Sequence, residues 1–481
     1  MAAVHKDVFV GIDLGTGGVR GLAVDASGSV VAAHSVAFPP SAPVDGRHEQ
    51  DPESWWNAAC QACRGLVAEL SRCDVELQRL AAVAVDGTSG TIVLLDAVGV
   101  PVGPGLMYND ARSTVEAVQL NELAADFCDC LGYRFNASFA LAKIEWLRRN
   151  EPDKFQAARH IVHQADFVAG RLSECLGVSD YSNALKTGYD LFQEVWPDWI
   201  GELPGVCERL PAVRAPGEQI GEITAAAAAA TGLPASLPVI AGASDGTAGC
   251  LASGIRQPGD LNSSLGTTLI FKALSSSPVK DPDGLIYSHK LPGGLWLPGA
   301  ASNVGAEWIT RWFPNADLQA MDANAAGLLP CDTIAYPLAR RGERFPFLAP
   351  DASAVGIPDS DEILRYAACL QGTALVERLA FETLERVSGH AGSDVYTTGG
   401  ASRSDIWTQL RADVTRRRYH RPVCPEAAFG SAVLAASGVT DWSIEQAIAE
   451  LVRIDRVFDP DFDDKYTEIF AAFCQVVGAY T

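Results

Sequence analysis

The sequence predicts a duplicated α/β fold, and three observations predict it. Short apolar runs with strand character alternate with helical patterns along all 481 residues. A strand, a Leu-Gly-Thr turn and a returning strand occur once in each half, at Leu14-Gly15-Thr16 and again at Leu265-Gly266-Thr267. The length suits roughly two to three domains, with room for large cores.

The first element is Val8-Phe9-Val10-Gly11-Ile12, a buried-strand run ending at the carboxylate Asp13. Gly15-Thr16-Gly17-Gly18 is a tight turn, Arg20 lies just beyond it, and Gly21 to Val24 returns as a strand. Asp25-Ala26-Ser27-Gly28 is a hairpin turn before Ser29-Val30-Val31-Ala32. No helix follows the glycines, which separates this turn from a dinucleotide fingerprint or a Walker loop. A carboxylate beside a turn rich in free N–H groups suits a phosphate chain with its magnesium ion. An ordinary glycine-rich hairpin is the alternative reading.

Asp51-Pro52-Glu53 opens a helix, with Asp51 as N-cap and Pro52 at the first helical position. Leu80 to Val85 is a second buried-strand run. It ends in Asp86-Gly87-Thr88-Ser89-Gly90-Thr91, which is either a set of hydroxyls at a cleft edge or only a turn. Leu106 to Arg112 is a strand end carrying Asn109, Asp110 and Arg112, which can hydrogen-bond several hydroxyls at once. Helical periodicity dominates from Ser113 to Arg171, with a break before Pro152, and 180–189 reads as a polar loop. Thr224 caps and Gly232 ends an alanine helix, a structural element because alanine offers no chemistry. Pro234 to Pro238 reads as a linker, so the expected domains are residues 1–238 and 239–481.

The second half opens with the strand Val239-Ile240-Ala241-Gly242, ending at Ala243-Ser244-Asp245-Gly246 before a helix. Asn262 to Phe271 repeats the strand–turn–strand element. Gly299 to Ala306 leads into a helix with Trp308 and Trp312, and Asp361 to Val387 is a long amphipathic helix. Val395 to Arg403 is a strand, a double glycine (Gly399-Gly400) and a helix start. That arrangement lets backbone approach a flat base or ribose closely, or is simply a strand-to-helix turn.

Composition narrows the functional classes. Apolar residues make up 48% and charged residues 20%, the balance of a soluble globular chain. A net charge of −22 argues against a nucleic-acid partner, which needs a basic face, and requires any anionic ligand to be held by local donors. No apolar stretch approaches the length of a membrane span, so no membrane partner is expected. The twelve cysteines lack metal or disulfide spacing and read as buried free thiols. The opening MAAVHKDVFVGID carries no basic n-region, long apolar h-region or transit-peptide pattern. The expectation is a cytoplasmic protein, with a plastid as the alternative for a plant chain.

Five elements in order, Asp13-Leu-Gly-Thr16, Asp110 near Arg112, Gly242-Ala-Ser-Asp245-Gly246, Leu265-Gly-Thr-Thr268 and Thr398-Gly-Gly-Ala-Ser402, resemble the FGGY carbohydrate kinases over nearly the whole chain. Val85 to Thr91, Tyr108-Asn109, Ser179 to Lys186, Tyr287 to Leu291 and Arg341 to Pro346 are similar to the cyanobacterial and plant group of that family, some labelled xylulose kinase-like. The activity implied for that group is phosphorylation of D-ribulose. Typical xylulose kinases carry Gln-Met-His where this chain has Asp86-Gly-Thr-Ser89, so the sugar stereochemistry being read should differ.

The resemblance implies two ribonuclease-H-like domains of the actin/hexokinase superfamily with a cleft between them, sugar mainly on the first and ATP mainly on the second. It implies closure on substrate to exclude water. It makes Asp245 the general base for the terminal hydroxyl, and Asp13 the residue that holds Mg²⁺ and touches the sugar. Thr16, Gly15 and Gly17 would face the β/γ-phosphates, and Gly266, Thr267 and Thr268 would face them from the other domain. Ser89, Asn109 and Asp110 are the expected sugar contacts, with Arg112 fixing Asp110. Gly399, Gly400 and Arg403 would line the base and ribose, and Gly305 would lie near the adenine. The expected activity is ATP-dependent phosphorylation of a ketopentose, D-ribulose first, with D-xylulose or another ketose or polyol as the alternative. From another class comes a nucleotide sensor with slow ATPase activity. Expected partners are the sugar and ATP, and the expected assembly is a monomer or homodimer.

Overall fold

The computed structural model describes residues 6–281, 284–359, 361–389 and 392–478. The expectation about targeting signals falls partly on Met1 to His5, outside the described residues. The chain packs as two units. The first takes Met1–Ala252, His289–Gly294 and Glu426–Val452; the second takes Ser253–Ser288, Leu295–Pro425 and Arg453–Thr481.

The sheet of the first unit runs Gln219–Glu222, Pro238–Ile240, Leu80–Gly87, Val8–Gly15, Gly18–Asp25, Val30–Ala37. Val8–Gly15 pairs antiparallel with Gly18–Asp25, and Gly15 stands opposite Gly18, so Thr16 and Gly17 are the whole turn. On its other side Val8–Gly15 runs parallel to Leu80–Gly87, which runs parallel to Pro238–Ile240. All eight residues of Leu80–Gly87 are buried, as a parallel strand covered on both faces requires. Alternate side chains of the first strand, Val8, Val10, Ile12 and Leu14, join Trp55, Ala59, Leu66 and Leu70 of the Pro52–Arg72 helix in one core. Each such side chain contributes about 1.5–3 kcal/mol by leaving water. The opposite face carries Phe9, against Trp442, and Gly11, against the Ala427–Ser437 helix.

Six strands of the second unit's sheet follow the same plan in the order Trp296–Ser302, Leu269–Ala273, Leu261–Leu265, Asp394–Thr398, Arg418–Pro422, Ile454–Phe458. The first three pair antiparallel, the next two join in parallel, and the last strand is antiparallel again. The 27-residue helix Glu362–Ser388, capped by Asp361, supplies much of this core through Tyr366, Leu370, Leu375 and Phe381.

The expected boundary between 238 and 239 moves. The proline-flanked segment before it is a turn, because Pro238–Ile240 is already hydrogen-bonded to Leu80–Gly87. Asp245, expected in the second domain, therefore lies in the first unit. The expected helical stretch 113–171 also differs: His160–His163 is a strand, paired with Ile92–Leu95, between the Pro152–Ala157 and Gln164–Ser173 helices. The expected polar loop at 180–189 begins as the strand Val178–Asp180 and the short helix Tyr181–Leu185, both largely buried. No described helix is long and apolar enough to cross a membrane. None of the twelve cysteines is in a disulfide, but only six are buried as expected: Cys73, Cys130 and Cys207 are exposed and Cys175, Cys424 and Cys474 half-buried, because they lie on helix or loop surfaces.

Candidate active site

Three carboxylates of the first unit sit at the ends of neighbouring strands. Asp13 closes Val8–Gly15 and Asp86 closes Leu80–Gly87, and the two are direct register partners in the parallel ladder. Neighbours across a parallel pair point to the same face, which here is the face covered by Ala427–Ser437. Gly87 forms a parallel bridge with Ser244, one residue before Asp245, which begins the Asp245–Ser253 helix. The Asp245 carboxylate accepts from the Gly246 N–H at 2.6 Å.

Their electrostatics separate them. Burial raises the Asp13 carboxyl to about 6. Asp245 and Glu426 push the same way, while a hydrogen bond from Asp86 and the Arg20 charge oppose the rise. Arg20 is itself ion-paired with Glu426. Asp86 is fully buried, and burial and the Asp13 charge hold its carboxyl well above the usual range. Ser431 donates to Asp86 Oδ2 at 2.6 Å, and Oδ1 is buried with no donor among the described residues. Burial and the neighbouring Asp13 charge both favour the protonated form of Asp86 over the ionised one.

The loop expected to contact sugar is built more tightly than its sequence indicates. Asp110 is buried and accepts from Arg112 Nε and Nη2 at 2.8 and 2.7 Å and from the His48 N–H at 2.7 Å. Arg112 also bonds Glu49 at 2.7 Å. The Asp110 carboxylate therefore organises this loop, and a contact to sugar would be an addition to that work. Asn109 Oδ1 lies 2.7 Å from His48 Nδ1, which leaves the Asn109 amide nitrogen as the group not tied to that bond. The Ser89 hydroxyl is buried and has no partner among the described residues.

Sequence reasoning passed over several groups here. Gln50 donates to the Thr16 carbonyl at 3.1 Å and so fixes the glycine turn, while its own amide oxygen accepts from Trp55 at 2.8 Å. Lys143 is buried, donates to Ala137 O at 2.8 Å, and is pushed down to about 7 by burial, with the Lys186 charge adding to the effect. The Arg47-His48-Glu49-Gln50 stretch had a polar signature, but nothing local showed which partners it meets.

In the second unit the Leu261–Leu265 and Leu269–Ala273 strands join through Gly266, Thr267 and Thr268, with Thr267 exposed. The Gly266 carbonyl accepts from the Ala306 N–H at 2.7 Å, and a Cβ on Gly305 would stand 2.3 Å from the Thr267 carbonyl. Gly399 has φ +86°, and a Cβ there would stand 2.4 Å from the Leu265 carbonyl. The structure thus gathers Gly266, Thr267, Thr268, Gly305 and Gly399 around one turn, with Gly400 beginning the short helix that ends at the exposed Arg403. Trp308 is a core residue, packed edge-on against Phe313, Tyr366 and Trp407.

A magnesium ion keeps several waters and takes one or two carboxylates, the rest coming from phosphates. Asp13 offers an oxygen ligand of that kind beside an N–H-rich turn. No described group of three or more His, Cys, Asp or Glu side chains could hold a metal by itself. The donor set fits an ion that arrives with its nucleotide.

The molecule is thus built from two repeated α/β units, each with a glycine-threonine hairpin in its sheet. The chain belongs to the FGGY family of carbohydrate kinases: the N-terminal domain model matches residues 8–252 and the C-terminal domain model residues 261–439. It is similar to the xylulose kinase of Staphylococcus epidermidis, 23% identical over 97% of this chain and 96% of that protein. It is also similar to the autoinducer-2 kinase of Yersinia enterocolitica, 28% identical over 95% of this chain and 92% of that protein. The crystal structure of xylulose kinase from Rhodospirillum rubrum aligns with a TM-score of 0.87 at 26% identity, covering 98% of each chain. The chain is thus a carbohydrate kinase with the two-domain fold of that family, and the family uses ATP.

Proposed function

We propose that the protein transfers the γ-phosphoryl group of ATP to the terminal hydroxyl of a ketopentose, D-ribulose before D-xylulose. The observation that carries the kinase chemistry is the set of carboxylates Asp13, Asp86 and Asp245 in one unit of a carbohydrate-kinase fold. What favours D-ribulose is Asp86-Gly-Thr-Ser89, small hydroxyl donors where typical xylulose kinases carry Gln-Met-His. Its Thr88 hydroxyl is held by Thr91 and Gln164 at 2.6 Å, and its Ser89 hydroxyl has no partner among the described residues. The xylulose kinases among the similar proteins favour D-xylulose as the second reading.

Phosphoryl transfer asks for positioning and charge neutralisation rather than covalent work. Asp245 accepts the proton of the sugar hydroxyl late, as the new P–O bond forms, because a carboxylate is a far weaker base than an alkoxide and takes the proton only once bond formation has made it acidic. Asp13 would hold the Mg²⁺ of the nucleotide, which supplies charge neutralisation when bound. Asn109 and Ser89 contact sugar hydroxyls. The N–H groups of Gly15 and Gly17 and the Thr16 hydroxyl bind phosphate oxygens. Gly266, Thr267 and Thr268 do the same on the second unit, with Gly399, Gly400 and Arg403 at the base and ribose and Gly305 near the adenine.

Asp245→Asn should keep ATP binding and lose turnover by about 10²-fold or more; unchanged kcat in steady-state assays removes Asp245 from the role. A ketose panel with coupled ADP detection separates the sugars: higher kcat/KM for D-ribulose supports the first reading, and higher kcat/KM for D-xylulose overturns it.

A further inference from the structure

The short buried segment Asp180-Tyr181-Ser182-Asn183 touches the turn that carries Asp245. Asp180 caps the Tyr181–Leu185 helix: its Oδ1 accepts from the Ser182 and Asn183 N–H groups at 2.7 and 3.1 Å and from the Ser182 hydroxyl at 2.6 Å. Its Oδ2 accepts from Asn183 Nδ2 at 2.6 Å. The Ser182 proton is thereby committed to Asp180, which leaves the Ser182 oxygen lone pairs to accept. They take the Ser244 backbone N–H at 2.7 Å. Ser182 and Asn183 are fully buried, and Asp180 and Ser244 nearly so. Ser244 also bridges Gly87 and donates its hydroxyl to Thr247 at 3.1 Å, at the start of the Asp245 helix.

We propose that Ser182, oriented by Asp180, is a positioning residue that holds the Ser244–Asp245 turn in its reactive geometry. The inference rests on Asp245 being the proton acceptor. A peptide N–H buried at a strand-to-helix turn needs an acceptor, and this one belongs to the residue directly before Asp245. Ser182 supplies the acceptor from a separate element, so the orientation of Asp245 is fixed from outside its own strand. Asp180 removes the alternative in which the Ser182 hydroxyl turns its hydrogen towards Ser244. Misplacing a reacting group by about 1 Å costs on the order of 10²-fold in rate, whereas binding of the nucleotide need not change.

The test is steady-state kinetics on the full chain for Ser182→Ala, Ser182→Thr, Asp180→Asn and Asp245→Asn, with thermal midpoints for each. The expected result for Ser182→Ala is a fall in kcat of about 10- to 10²-fold with KM for ATP nearly unchanged, alongside a lower thermal midpoint because the buried Ser244 N–H is left unpaired. Ser182→Thr, which keeps the hydroxyl, restores kcat. Asp180→Asn, which keeps an acceptor oxygen, loses less than Ser182→Ala, and it decides by the same kcat-against-KM split if Ser182→Ala does not fold. Wild-type kcat in a folded Ser182→Ala, or an equal loss in Ser182→Thr, overturns the inference. If Asp245→Asn is inactive while Ser182→Ala is normal, only the positioning role fails; if Asp245→Asn is fully active, the assignment of Asp245 fails and the positioning role with it.

Discussion

The two units share a scaffold and differ in what they put on it. In the first, the position before Leu-Gly-Thr is Asp13 and its partner across the parallel ladder is Asp86. In the second, the same position is Ser264 and its partner is Thr398. One scaffold therefore displays carboxylates and the other neutral hydroxyls beside an N–H-rich turn. Buried charge follows the same split. Beneath the second sheet, Arg411 and Glu377 are both fully buried and each of their side-chain nitrogens and oxygens has a partner: two contacts at 2.7 and 2.8 Å between them, with Ser263 and Thr397 accepting from the guanidinium at 2.8 and 2.9 Å. In the first unit Asp86 keeps one oxygen without a donor. A complete buried network makes structure, and an incomplete one marks the place where chemistry can be done.

That contrast can be broken at graded cost. The largest effect should come from Arg411→Ala, which strands the Glu377 carboxylate in the core. Removing one partner of a buried pair costs about 3–5 kcal/mol, to be read as a lower denaturant midpoint for the transition of the second unit. An unchanged midpoint would mean the network carries no structural weight. Gly399→Ala comes next. It forces a left-handed φ on alanine and sets a Cβ against the Leu265 carbonyl, strain of about 1–3 kcal/mol at one turn. KM for ATP should rise about tenfold with the ketose KM unchanged; the opposite pattern would contradict a nucleotide role for this turn.

The smallest effect is a gain. The folded Asp13 carboxyl titrates near 6, above its ordinary 3.8, so its ionised form is disfavoured by folding. The cost is absent below about pH 4, where both states are protonated, and complete above about pH 6, where both are ionised. Asp13→Asn should thus raise the thermal midpoint at pH 8 and leave it nearly unchanged below about pH 4. Stabilisation of equal size at both pH values would refute the assignment. Turnover in this variant should fall even as stability rises.

The readable and unreadable parts of the chain follow the same physics. The Leu-Gly-Thr hairpins, the Asp51 cap, the alanine helix and the long helix that follows Asp361 are local patterns, and each formed where its residues indicated. The placement of Asp245 depended on Leu80–Gly87, far away in sequence, and no local signal reports a parallel strand partner. Asp180 and Ser182 look like loop residues because they are polar; they are buried because each meets a partner elsewhere in the fold. The His160–His163 strand was hidden inside helical periodicity for the same reason, since its pairing with Ile92–Leu95 decides its state.

The return of Glu426–Val452 to the first unit has a consequence for how the molecule is made. The Ala427–Ser437 helix covers the Val8–Gly15 and Leu80–Gly87 strands and brings Ser431 to Asp86. At a translation speed of roughly 5–20 residues per second, the strands wait roughly ten to forty seconds after Ala252 leaves the ribosome before their cover is synthesised. Through that interval a bare apolar sheet face stands exposed in the nascent chain. A gene cut after Ala252 would prolong the exposure indefinitely, and a circular permutation that moves Glu426–Val452 ahead of Val8 would abolish it.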